Sequence, residues 1–434
     1  MNITSHIIRQ AAAEVEDTVI NLRRHIHKRP ELGLQEHETA ALAAEELAKL
    51  PVSVTTGIRE TGISALLRGN PQLREPVEKQ SFPPEDLHNH KNRGKTILLR
   101  ADMDALPIQE ETGLPYSSEI PGVMHACGHD GHTAILLGAA MVLSRFREVL
   151  PGNVKFIFQP AEEKQGGAEE MIKAGVLRDP KVDAALGLHL WGSTPQGIVE
   201  YRPGPFMASP DFFTLRIIGR GGHAAMPHSC IDPIPIAAAV ISQFQTIISR
   251  LKDPLEPAVI SVCKVEAGNA HNVIPSDAVL QGTVRSLSPE TRKELPALME
   301  KTVKQITALY GADYRFDYTF RFPPLINNPE MTGLVRTAAE KMLGPDRVRE
   351  ALKPNMGGED FAYFAEAVPS AFFYLGIAPG PGEAVFHHHP QFQFDDRVLT
   401  DGVAVLCQSV FDYFNVQARE PARGMEEQGY HYSH

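Results

Sequence analysis

Tryptophan occurs once and cysteine four times in 434 residues. Cys127, Cys230, Cys263 and Cys407 are too few and too dispersed for a disulfide framework. No CxxC pair occurs, which argues against a closed structural zinc site of that kind. Apolar runs are short: AILLGAAMVL, 134–143, falls well below the roughly 20 residues that span a bilayer. The opening residues lack a basic stretch followed by a long apolar one, so no secretory leader is expected and the chain reads as cytoplasmic. Positive charge is not in excess either. Lys and Arg number 42 against 53 acids, a net charge of −11, which argues against a general binder of nucleic acid or anionic membranes. What is present is ordinary globular composition, 43% hydrophobic and 22% charged, in a chain long enough for two or three domains. A core of that size needs no disulfide or metal staple.

The organisation follows from periodicity. Residues 7–50 repeat apolar positions at helical spacing, broken at Pro30, with ETAALAAEELAKL as a helix stopped by Pro51. Buried-strand runs follow at ISALLR (63–68), TILLRADMD (96–104), VKFIFQPAE (154–162) and AALGLHLW (184–191), with helical patterns between some of them. Such alternation predicts an α/β fold, a parallel or mixed sheet with helices on its faces. Residues 70–95 are polar and proline-bearing and read as a surface excursion. From about 207 to 322 the order becomes strand, helix, strand, strand, helix, strand, the split βαβ arrangement of a ferredoxin-like α+β unit. That unit is read as an insertion, leaving 1–206 and 323–420 as one discontinuous domain and 421–434 as a disordered tail.

Ligand-type residues cluster at strand exits, where open α/β sheets place their sites. MHACGHDGHTA, 124–134, brings His125, Cys127, His129, Asp130 and His132 into eight positions, with glycines that let a loop fold back on itself. Imidazole, thiolate and carboxylate are the common ligands of zinc-like metals. FQPAEE ends a strand with Glu162 and Glu163, one suited to ligation and the other to proton transfer, although the pair could equally be the acidic first turn of a helix. His189 lies alone in an apolar strand, where a histidine is more often a satisfied core residue. Asp102 and Asp104 close LLRADMD, and FHHHPQFQFDD, 386–396, adds three histidines.

In their order, RADMDALP, MHACGHDGHTA, FQPAEE, GLHL, GRGGHAAMPH, NVIP, MGGEDF and HHHPQFQFDD resemble the M20 metallopeptidases. The similarity is greatest to the amidohydrolase branch of hippurate hydrolase, N-acyl-amino-acid deacylases and auxin-conjugate hydrolases, and runs from about residue 20 to 415. It implies a zinc-exopeptidase-like catalytic domain with a smaller inserted domain that dimerises and closes over substrate, with hinges near 205–210 and 318–325. It implies metal ligation by Cys127, His129, Glu163, His189 and His388, with His387 and His389 as alternatives to the last. Cys127 stands where other branches carry a bridging aspartate. Glu162 matches the general base, and Asp102 and Asp104 match positions that hold a ligand histidine in place.

His223, in relatives, reaches the partner subunit's site and steadies the oxyanion, and Asn272 and Arg285 match positions that bind the substrate's free carboxylate. Each has a plain alternative: a turn histidine beside Gly221 and Gly222, or a charge on a strand surface. Glu359 falls near the site without an assigned role. The expectation is amide hydrolysis of N-acyl amino acids by two divalent ions about 3.5–4 Å apart. Zinc or manganese leads, with cobalt or nickel as alternatives, in a homodimer or higher homo-oligomer. Cleavage of small peptides is the second reading, and a catalytically inactive binding relative the third.

Overall fold

The computed structural model describes residues 4–73, 92–163, 166–380 and 382–415. Most of the expected 70–95 excursion and all of the expected 421–434 tail lie outside the described residues. The chain opens with α1 (Ser5–Ala13), α2 (Glu16–Lys28) and α3 (His37–Ala48). Two helices therefore precede Pro30 where periodicity predicts one. The break at Glu14 and Val15 carries no proline or glycine, and it keeps Ala11, Ala12, Val15 and Val19 buried along one line.

Next come β1 (Val52–Ile58), β2 (Gly62–Arg68), β3 (Thr96–Asp102), α4 (His129–Arg145), β4 (Asn153–Gln159), α5 (Gly167–Lys173), β5 (Ala184–Pro195), β6 (Val199–Tyr201) and β7 (Gly204–Met207). β1 has no counterpart in the expected strands, because its VSVTTGI is mostly polar and only partly buried. The inserted unit runs through β8 (Ser209–Ile218), β9 (Gly222–His223), α6 (Pro233–Thr246), β10 (Ala258–Ala267), β11 (Val273–Ile274), β12 (Asp277–Ser286), α7 (Pro289–Tyr310) and β13 (Asp313–Thr319). The chain ends with β14 (Leu325–Asn327), α8 (Pro329–Leu343), β15 (Val348–Glu350), α9 (Ala362–Ala367), β16 (Ser370–Ala378) and α10 (Val398–Tyr413).

The larger sheet has eight strands in the order β1-β2-β4-β3-β5-β16-β6-β15. Its centre is parallel, from β4 through β3 and β5 to β16, and its flanks are mixed. Successive residues of β3 feed opposite cores. Ile97, Leu99 and Ala101 join α4, α8 and α10, whereas Leu98 joins residues of α5 and α9. Helices on both faces therefore bury the central strands, as their unbroken apolar runs require, and leave the edge strands β1 and β15 partly exposed.

In the smaller sheet, β10-β12-β8-β13, every pairing is antiparallel and the order is that of a ferredoxin-like fold. Its own core gathers Phe213, Leu215 and Ile217 with side chains of α6 and α7. Ser288 caps α7 by accepting from Thr291 N, as its SPET sequence predicts. β7 and β14 pair beside this unit, so the chain leaves and re-enters through adjacent strands. In contrast to the short apolar runs expected, α6 continues through a π turn into a 19-residue helical run, Pro233–Leu251, long and apolar enough by composition to cross a membrane. Here its Ile236, Val240, Phe244 and Ile247 lie in the small core.

Candidate active site

Register brings the strand exits together. Asp102 of β3 lies opposite Gln159 of β4, and Arg100 lies opposite Gly187 of β5, two residues before His189. Cys127 approaches from a loop whose turn into α4 is made by Gly128 at φ 91°, a left-handed conformation that suits glycine. His129 is then the first residue of the helix. Its Nδ1 donates to Asp104 Oδ1 at 3.2 Å, and its buried Nε2 makes no hydrogen bond among the described residues, with Asp102 Oδ2 3.7 Å away. His189 is prepared in the same way. Its Nδ1 donates to Leu190 O at 2.8 Å and its Nε2 lies 3.5 Å from Cys127 Sγ.

His132 differs from both. It bonds Asp102 Oδ1 through Nδ1 at 2.6 Å and accepts from Leu190 N through Nε2 at 2.9 Å, so both nitrogens are occupied within the protein. Asp102 thus braces His132 and Arg100, while Asp104 braces His129.

Asp104 also accepts from Glu162 N and Glu163 N, each at 3.0 Å, and so ties the exit of β4 to the α4 histidine. Ala161, just before the glutamate pair, sits at φ 54°, and Glu36 anchors it by accepting from Ala161 N at 2.9 Å. His388 likewise takes a left-handed φ of 58°. Such non-glycine conformations cost on the order of 1–3 kcal/mol each and persist where surrounding contacts over-determine them. For His388 one such contact is its N–H donating to Ala126 O at 2.8 Å. Its Nε2 sits 3.0 Å from Glu163 Oε1, an oxygen with no well-formed hydrogen bond of its own.

The electrostatics of this cluster are one-sided. Glu162 is buried and paired with no cation among the described residues, and its carboxylate accepts only a long 3.4 Å bond from Asp360 N. Burial, followed by the charges of Glu359, Glu163, Asp360 and Asp104, raises its proton affinity well above the usual carboxylate range. Burial and the Glu163, Glu162 and Asp102 carboxylates push the Cys127 thiol up as well. For His129, burial favours the neutral ring, but Asp102 and Asp104 outweigh it and raise the imidazolium to about 10. Both upward shifts disfavour negative charge on Glu162 and Cys127, and a bound cation would oppose them.

The donor set fits metal ions in its chemistry and its spacing. Ligand atoms of Cys127, His129 and His189 lie within 4.8 Å of one another, and so do those of Cys127, Glu163 and His388. The sulfur is common to both groups. Thiolate and imidazole suit zinc and its neighbours, and such ligands must shed their protons to bind. Cys127→Ser should therefore weaken metal retention by at least about 10-fold, measured by elemental analysis after dialysis against a graded chelator series. Unchanged metal content would remove Cys127 from the ligand set.

The residues expected to touch substrate lie elsewhere. His223 of β9 and Asn272, just before β11, are exposed neighbours, and Ala224 N donates to Asn272 O at 3.1 Å. Arg285 is half-buried on β12 and bonds Thr283 Oγ1. Among the described residues, no hydrogen bond or ion pair joins these three to the cluster of Cys127, His129, Glu163, His189 and His388. Several groups around the cluster were not singled out from sequence: Glu36, Arg100, Asp360 and, as distinct from His388, His387. The acidic pair in MGGEDF was the available signal for Asp360. Arg100 sits inside an apolar strand, where a lone charge that must be compensated was the clue.

Comparison with known proteins identifies the family. The model of peptidase family M20/M25/M40 matches residues 98–412. An N-acyl-L-amino acid amidohydrolase of Geobacillus stearothermophilus is 44% identical over 329 residues, covering 76% of this chain and 83% of the relative. Thermostable carboxypeptidase 1 of Saccharolobus solfataricus is 38% identical over 393 residues, 90% of this chain and 93% of its own. The solved structure of the Bacillus subtilis YXEP protein, described as a dinuclear metal binding peptidase from the M20 family, aligns with a TM-score of 0.75 at 34% identity. It covers 93% of this chain and 98% of that one. With this family match and these relatives, the chain belongs to peptidase family M20/M25/M40 and is a metal-dependent hydrolase of its amidohydrolase branch.

Proposed function

We propose that this protein hydrolyses the amide bond of N-acyl amino acids, releasing the free amino acid, with two divalent ions held by Cys127, His129, Glu163, His189 and His388. The observation that carries the reading is the pair of ligand groups sharing the Cys127 sulfur beside a buried Glu162 that makes no ion pair among the described residues. Bound divalent ions supply Lewis acidity and make water nucleophilic near neutral pH. Glu162 takes the proton from the attacking water and returns it to the leaving amine, a role suited to a carboxylate of raised proton affinity. Asp104 keeps the Glu162 backbone and the His129 ring in register during that transfer.

The unit 207–322 serves in this reading as the dimerisation and lid domain. Its exposed His223 would reach the oxyanion in a second copy of the chain, with Asn272 and Arg285 receiving the substrate carboxylate. The exposure of the neighbouring His223 and Asn272 supports that assignment, as does the lack, among the described residues, of any bond from them to their own chain's cluster. Zinc or manganese suits the donor set, with cobalt and nickel next, and a cytoplasmic site of action belongs to the same proposal.

A second reading, cleavage of small peptides, is favoured by the similarity to a carboxypeptidase. Both are tested by stripping the protein, reloading it with each metal in turn, and assaying N-acetyl, N-benzoyl and indole-acyl amino acids beside dipeptides. The expected result is a kcat/KM at least about 10-fold higher for an N-acyl amino acid than for any dipeptide, a difference of about 1.4 kcal/mol in transition-state binding. The reverse ranking establishes the peptidase reading.

A further inference from the structure

We propose that His387 is a positioning residue that donates an N–H···S hydrogen bond to Cys127 and so fixes the direction of its sulfur. This rests on the reading of Cys127 as a metal ligand. The tautomer follows from one contact. Gly192 N donates to His387 Nε2 at 3.0 Å, so that nitrogen carries a lone pair and the ring proton is on Nδ1. Nδ1 in turn lies 3.8 Å from Cys127 Sγ, within reach of a hydrogen bond to sulfur.

The ring has little freedom to point elsewhere. It lies 5.0 Å from the Trp191 ring and 5.2 Å from Phe392, and meets His189 edge-on at 5.3 Å. The backbone enforces the same placement. Val385 N donates to Gly192 O at 2.8 Å, and a Cβ at position 192 would come within 1.9 Å of Val385 O, so only glycine allows the 385–387 segment to close on β5. The next residue, His388, bonds the Cys127 loop through Ala126 O and turns its own ring to Glu163. Adjacent histidines thus do different work: His388 faces the carboxylate, and His387 faces the sulfur with its other nitrogen already occupied.

A donor on a metal-bound thiolate withdraws electron density from sulfur and restricts its orientation. Groups that brace a ligand in this way typically change metal affinity by about 10–100-fold when removed. The probe is Co(II)-loaded protein, whose sulfur-to-metal charge-transfer band reports the thiolate directly. His387→Leu is expected to shift that band to lower energy, weaken Co(II) binding by about 10–100-fold, and speed alkylation of Cys127 by iodoacetamide in the stripped protein. His387→Gln, whose amide can both accept from Gly192 N and donate to sulfur, is expected to restore all three.

An unmoved band in a folded His387→Leu protein overturns the proposal. Loss of one Co(II) per chain also overturns it, because His387 would then be a ligand. Failure of His387→Leu to fold leaves the decision to His387→Gln: a band at its native energy supports the proposal and a shifted one overturns it. Absence of the band from the unsubstituted protein removes the Cys127 ligand reading as well, and so separates the two failures.

Discussion

Replacing Glu162 by glutamine should lower kcat by about 10²–10⁴-fold while metal content and KM stay near their unsubstituted values. The amide is the same size as the carboxyl and can still accept the 3.4 Å bond from Asp360 N, so the backbone at the exit of β4 has no reason to move. Glu163, the proposed ligand beside it, is untouched. Glu163 N and Glu162 N keep their bonds to Asp104, which are made by the backbone. Only the proton-accepting charge is lost. Stability should not fall, since Glu162 faces the charges of Glu359, Glu163, Asp360 and Asp104 and makes no ion pair among the described residues. Steady-state kinetics, elemental analysis and a urea midpoint on one preparation separate these effects. A variant that keeps more than about a tenth of wild-type kcat would move the proton transfer to another group, and Glu359, buried in the same carboxylate cluster, is the one to examine.

The parts of the molecule that could be read from sequence are those where one local pattern decides the outcome. Unbroken apolar strands, the cap at Ser288 and the strand–helix order of the small unit were all of this kind. β1 was not, because an edge strand that is half exposed and polar has no apolar signature. The same distinction divides the site. Cys127, in the loop before α4, and His129, the first residue of that helix, are two residues apart, so their proximity is local. The functions of His132, Asp102 and Arg100 depend on which hydrogen bonds close after β3, β4 and β5 align, and no spacing within one segment contains that information. By residue type alone His132 and His129 look alike; the resemblance implies ligation by His129 and not His132, and both nitrogens of His132 are occupied within the protein. His387 and His388 show the problem at its smallest: adjacent in sequence, they turn to a sulfur and to a carboxylate because the backbone turns left-handed at His388.

Arg100→Met should be the most damaging substitution for stability, by about 3–5 kcal/mol. One fully buried guanidinium serves four neighbours: Gln159 Oε1 at 2.8 Å, Asp102 Oδ2 at 2.7 Å, Asp360 Oδ1 at 2.8 Å and Glu359 Oε1 at 3.0 Å. Methionine fills much of the volume but leaves three carboxyls buried without their cation. The pH dependence gives the cause a signature. Burial already pushes Glu359 up to about 8 and Asp360 to about 6, with Arg100 pulling against it. Without the guanidinium both would rise further above their unfolded values, and a raised acid contributes stability that is lost as pH increases. The deficit of the variant should therefore be larger near pH 8 than near pH 5, where Glu359 is protonated in either protein. Urea midpoints across that range test this. A deficit independent of pH would mean that the loss comes from packing around the shortened side chain and from Asp102, which is ionised throughout that range, and not from Glu359 or Asp360. Arg100→Lys supplies the control, because it restores one positive charge without the fork and should recover only part of the lost stability.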